Sequence, residues 1–122
     1  MKNLYLIILF IVPFICSSQN KKINSNFYYT QYEDQSNTWI MVSSKFEDNT
    51  FDFFDNKIIW NGPKKIKQYT IESHRIFEGN LIYVVRDINK QIMVFKIIKN
   101  ESLSILWLDN YSRRHALVFD IL

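Results

Sequence analysis

From residue 80 onward the apolar and polar positions separate into short blocks. Leu81-Ile82-Tyr83-Val84-Val85-Arg86, Ile92-Met93-Val94-Phe95-Lys96-Ile97-Ile98 and Leu103-Ser104-Ile105-Leu106-Trp107-Leu108 are three apolar runs of strand length. They are rich in β-branched and aromatic residues, which suit a pleated surface, and polar breaks at 87–91 and 99–102 divide them. The pattern predicts a β-meander, in which each run pairs with the next.

Upstream the signal is weaker but of the same kind. Residues 27–32 form a first candidate strand, and 38–46 a clearer one. In the latter, Trp39, Met41, Ser43 and Lys45 alternate with Ile40, Val42, Ser44 and Phe46. Glu47-Asp48-Asn49 reads as a turn into 50–54, and Asp55-Asn56 as a two-residue turn into 57–60. Asn61-Gly62-Pro63 is the strongest break, because proline cannot enter a central strand. Residues 64–73 alternate like an exposed strand, which Arg75-Ile76-Phe77 continues after a bulge. Glu78-Gly79-Asn80 turns into the meander, and residues 115–122 place Leu117, Phe119 and Ile121 on one face. The run 102–111 also fits helical spacing through Leu103, Leu106, Trp107, Asn110 and Tyr111, so helix stays open there beside strand. The expectation is an all-β fold: an antiparallel meander of about eight short strands in a closed or partly open barrel, with a β-sandwich as the alternative.

Two strands, 81–85 and 92–98, are apolar on both faces. One face fills a core. The other needs cover from a partner, another subunit or the leader, because monomers seldom leave large apolar patches bare. This feature points to association.

The N-terminus indicates an address. Lys2 supplies a positive charge, residues 4–15 are apolar apart from Pro13, and Cys16-Ser17-Ser18 gives small residues before Gln19. That is the plan of a secretory signal, too short to span a bilayer. The expectation is a signal peptide over 1–18, cut near Ser18/Gln19, then a polar leader over 19–26 and a single β domain over 27–122. The chain is then exported, periplasmic or secreted, and without cysteine, so its core alone holds the fold. The alternative is a lipoprotein anchored at Cys16, against which the bulky Ile15 counts. A membrane is a partner only in that case.

Charge adds little until it is divided. The chain has 15 basic and 12 acidic residues, a net of +3, which argues for neither nucleic acid nor a membrane surface. Residues 19–56 carry three lysines against six carboxylates, whereas 57–122 carry eleven bases against six acids. Such asymmetry suits an inhibitor- or immunity-type protein binder, or simply two solvated halves.

Candidate chemistry is sparse. His74 and His115 are far apart in sequence, and no C-x-x-C or H-x-x-x-H pattern exists, so no metal site is expected. The acidic stretch 47–55 lacks the central glycine and terminal glutamate of a calcium loop. With only Gly62 and Gly79 there is no nucleophile elbow, phosphate loop or dinucleotide fingerprint. Ser73 and His74, as strand neighbours, point to opposite faces. No cofactor and no enzyme activity are expected. Arg113-Arg114-His115 is a compact cationic cluster able to clasp an anion or a partner. Among the aromatics, Trp39, Phe95 and Trp107 are the candidates to line a cavity for a small apolar ligand; filling the barrel is their other use.

The exported domain, with a tryptophan in an early strand (Trp39) and a hairpin meander running to the C-terminus, resembles the lipocalin-like (calycin) barrels in architecture over residues 38–122. The resemblance implies a barrel that carries a ligand. The family's G-x-W is absent, since Asn37-Thr38 precedes Trp39, and no binding residue is carried over. The functional expectation is a non-enzymatic exported binding module, taking a small apolar ligand inside or a protein partner on its apolar face. The alternatives are an assembly component of an envelope complex and the inhibitor-type binder. A homo-oligomer is a further expectation.

Overall fold

The computed structural model describes residues 21–122. The expected signal peptide and Cys16 lie outside the described residues. Eight strands follow one another: β1 (Lys21–Glu33), β2 (Trp39–Phe53), β3 (Lys57–Asn61), β4 (Ile66–Phe77), β5 (Asn80–Arg86), β6 (Ile92–Ile98), β7 (Ser102–Leu108) and β8 (Arg114–Asp120). Each pairs antiparallel with the next and β8 returns to β1, closing an up-and-down barrel. The sandwich and the helix at 102–111 are thereby ruled out. β7 is a strand because both its faces are used: Leu103, Ile105 and Trp107 face inward, while Leu106 faces out.

Two boundaries differ from the sequence reading. β1 starts at Lys21, inside the stretch read as a polar leader; Ile23 and Ser25 are buried opposite Phe51 and Asn49. The short apolar signal there was masked by asparagine and lysine neighbours that point outward. The turn expected at Glu47-Asp48-Asn49 is absent. β2 continues through it and takes up the extra residue as a bulge. Glu47 and Asp48 face Asn26 alone, so the register shifts between Ser25 and Phe27. The bulge expected between Ser73 and Arg75 falls earlier in β4, between Ile71 and Ser73, where Glu72 is the extra residue.

The interior is filled by rings. Phe51, Phe95 and Phe119 are wholly buried, and Phe51 meets Phe119 at 4.9 Å and Phe95 at 6.3 Å, edge to face. Trp60 stacks on Phe51, Tyr28 on Phe119, and Tyr69 meets Phe95 edge-on. Aliphatic side chains of Ile58, Val85, Ile97, Leu103 and Ile105 complete the core. An eight-stranded barrel is only wide enough for such a filling or one small ligand.

The turns are built from side-chain caps. Three loops at one end share a single construction, β1–β2, β5–β6 and β7–β8. Each opens with an aspartate, Asp34, Asp87 or Asp109, whose Oδ1 accepts from the backbone N–H groups two and four residues on. Each then places its fourth residue, Asn37, Lys90 or Ser112, at positive φ. The aspartate substitutes for backbone partners the tight loop cannot supply. At the other end Glu78 and Gly79 are both at positive φ, as a two-residue hairpin loop requires.

The core assignment predicts that Phe95→Ala destabilises the fold by about 3–5 kcal/mol, the usual cost of removing a fully buried ring. Urea unfolding followed by tryptophan fluorescence measures it.

Candidate functional site

Around a closed barrel, directly paired residues share a face, so the ladder sorts every side chain as inward or outward. Two surfaces stand out, one at the barrel mouth and one outside.

The mouth lies at the end with the aspartate loops. β4 pairs with β5 only from Thr70↔Arg86 onward, so the Ile66–Tyr69 portion of β4 is flanked by β3 alone. The β5–β6 loop stands across the resulting gap. Between them is an open cavity of about 690 Å³ lined inside by Trp60, Tyr69, Met93, Trp107 and Leu117, with Lys67 and Asp87 among its polar groups. Lys67 Nζ lies over the Trp60 ring at 5.1 Å. Burial, helped by the Asp87 carboxylate, pushes the Tyr69 phenol up to about 12.

Beside the mouth, His115 Nε2 donates to Asp109 Oδ2 at 2.8 Å and its ring stacks on Trp107, with centroids 5.5 Å apart. The same aspartate caps its loop. Its carboxyl is held below the usual range, first by the His115 hydrogen bond and then by the Arg113 backbone N–H. The pair fixes the loop and Trp107 in place.

The outer surface is the exposed face of β4 to β8. Ile82, Val84, Val94 and Leu106 form the floor of a groove of about 1170 Å³. Arg75, Arg86, Lys90, Lys96 and Arg114 line its margin, and no carboxylate does. Two of these cations are held at the side: Arg86 by Glu72 at 2.6 Å and Arg114 by Glu33 at 2.7 Å. Among the described residues Arg75, Lys90 and Lys96 make no salt bridge.

The residues singled out from sequence separate on this frame. Only Trp107 lines the mouth cavity. Phe95 belongs to the packed interior below it and is fully buried. Trp39 pairs with Glu33 on the outer face, where the Arg114 guanidinium lies 6.0 Å from its ring, away from the mouth cavity. Pleating also divides the cationic cluster. Arg114 points outward to Glu33, His115 points inward to Asp109, and the Arg113 backbone N–H caps the loop. The three therefore present no common anion clasp. Sequence reasoning missed Asp87 and, apart from Arg114, the cationic margin of the groove, whose convergence depends on register. The aspartate repeated five residues before β2, β6 and β8 was a readable signal for the loops.

Among the described residues no group of three His, Cys, Asp or Glu side chains is placed to hold a metal ion. Ser73 and His74 occupy opposite faces, opposite Val84 and Tyr83. Comparison with protein-family models, with curated proteins and with solved structures gives no match. A closed meander is common to many barrels, and nothing ties this one to the lipocalin-like family.

Two pH dependences follow. The depressed Asp109 carboxyl contributes stability that is present above its ordinary value of 3.8 and is lost as pH falls through the lower folded value. Asp109→Asn is therefore less stable than wild type near neutrality, and the deficit closes in acid; urea midpoints across pH measure it. The raised Tyr69 phenol acts oppositely, costing stability as pH rises from 10.0 towards about 12. Tyr69→Phe removes that part of the alkaline loss, as thermal unfolding in alkaline buffers records.

Proposed function

We propose that this protein is an exported, non-enzymatic binding module that engages a protein partner through the outer face of β4 to β8. The observation that carries the reading is the groove itself: an apolar floor within a margin of five cations. Of these, Arg86 and Arg114 are paired with Glu72 and Glu33, and the other three make no salt bridge among the described residues. The packing of the interior supports it too, since Phe51, Phe95 and Phe119 are wholly buried and meet one another across the barrel. A matching surface is apolar at its centre and acidic at its edge. The cations then steer the encounter and fix register, while burial of the floor supplies affinity. Export rests on the leader pattern of residues 1–18 and suits a fold with no need of disulfides.

The mouth cavity favours a second reading. Its aromatic lining around Trp60, Tyr69 and Trp107, with Lys67 and Asp87 as polar anchors, suits a small ligand of mostly apolar character.

Methyl-resolved NMR with an acidic amphipathic helical peptide, and with its lysine counterpart as control, separates the two. The acidic peptide is expected to shift the Ile82, Val84, Val94 and Leu106 methyls, more weakly at high salt. Val94→Lys should abolish the response with the fold intact. Equal response to both peptides, or shifts confined to Met93 and Leu117 at the mouth, contradicts the proposal.

A further inference from the structure

The barrel mouth holds opposite charges that do not meet. Lys67 and Asp87 line the same open cavity of about 690 Å³. Lys67 pairs with Trp60 in the β3–β4 ladder, so it faces inward, and its ammonium rests over that ring at 5.1 Å. It makes no salt bridge among the described residues, with Asp87 or with any other carboxylate. Asp87 stands across the gap on the β5–β6 loop. Its Oδ1 accepts from the backbone N–H groups of Asn89 and Gln91, at 2.9 and 2.8 Å, and its Oδ2 has no partner among the described residues. The carboxylate is close enough to the Tyr69 phenol for its charge to act on that group.

Aromatic walls enclose the apolar part. Trp60 and Trp107 come from β3 and β7, four strands apart in a ring of eight, so they stand on opposite walls. Both are fixed from behind. Trp60 stacks on Phe51 at 5.4 Å and donates through Nε1 to Asn49 Oδ1 at 2.8 Å. Trp107 stacks on His115, which Asp109 holds. Tyr69 and Met93 lie between them. Walls set in this way suit a flat apolar group, which gains contact without having to order them.

We infer that the mouth binds a small dipolar molecule that joins a flat apolar ring to neighbouring ammonium and carboxylate groups, the build of an aromatic α-amino acid. The inference rests on the second reading above, that the mouth takes a small ligand, and narrows that ligand to one class. Charge makes the selection. A plain organic anion would meet Lys67 but bring its charge against Asp87, and a plain cation would meet Asp87 but face Lys67. A wholly apolar molecule would strip water from both groups and return nothing. A dipolar head satisfies both, its carboxylate on the Lys67 ammonium and its ammonium on the free Asp87 oxygen. Because the cavity is open, the molecule exchanges readily and leaves on desalting.

Titration of the full chain with L-tryptophan, tryptamine, indolepropionate and indole tests this; the last three each lack one or both charged groups. The Met93 methyl and the Trp107 indole N–H report binding by NMR. L-tryptophan is expected to shift both signals saturably and to bind at least ~10-fold more tightly than any of the three analogues. Lys67→Met should remove its advantage over tryptamine. Asp87→Asn keeps the Oδ1 acceptor that caps the loop and should remove its advantage over indolepropionate. Circular dichroism and thermal midpoint should stay near those of wild type in both variants. An analogue that binds the mouth as tightly as L-tryptophan overturns the inference and leaves the small-ligand reading standing. An advantage that survives both substitutions overturns it too, since the two charges are then not what is recognised. Absence of shifts at Met93 and Trp107 with all four compounds overturns both.

Discussion

Everything else in this barrel depends on the contact among Phe51, Phe95 and Phe119. These rings come from β2, β6 and β8, strands that are not neighbours, and they meet across the axis rather than along the sheet. The chain has no disulfide among the described residues and no helix to cap an open face. Closure of the meander must therefore be held by what fills it. Three buried rings, with Trp60, Tyr28 and Tyr69 packed against them, occupy the space that a ligand-carrying barrel of this size leaves open. With the centre packed by these rings, the surfaces left open are the mouth, the outer face and the unpaired edge of β2.

The periphery is shaped by unequal strand lengths. A short β3 between long β2 and β4 leaves β2 unaccompanied over residues 39–48, and the late start of the β4–β5 ladder leaves β4 half-flanked over residues 66–69. One departure gives an exposed apolar edge, the other a gap leading to Trp60 and Trp107. The brevity of β3 has a local cause. Asp55-Asn56 and Gly62-Pro63 bracket it at a distance that permits five residues and no more.

Much of the fold was legible because alternation and turn chemistry agree from residue 50 to the end. Asp55-Asn56, Gly62-Pro63 and Glu78-Gly79 mark turns that the structure uses, and the apolar runs of 81–108 are β5, β6 and β7. Legibility failed where a strand carries its information in its neighbour. Ile23 and Ser25 are inward residues only because Phe51 and Asn49 lie opposite. Glu47-Asp48-Asn49 stays in the sheet because β1 runs alongside without a break, so turn-like residues make a bulge instead. The same limit governs the site. Apolar character on both faces of β5 and β6 foretold an outer patch. Which cations would ring it depended on a register that no local pattern encodes. Trp39 and Phe95 were chosen by residue type alone, and pleating sent one outward and the other into the packing.

The central claim, that the proposed binding uses the outside of a filled barrel, is tested most directly by native mass spectrometry of the full chain purified without detergent. The expected result is the bare mass of the polypeptide, with no small molecule retained. A stoichiometric extra mass that survives desalting and disappears on Phe95→Trp, which would crowd the interior further, would contradict it.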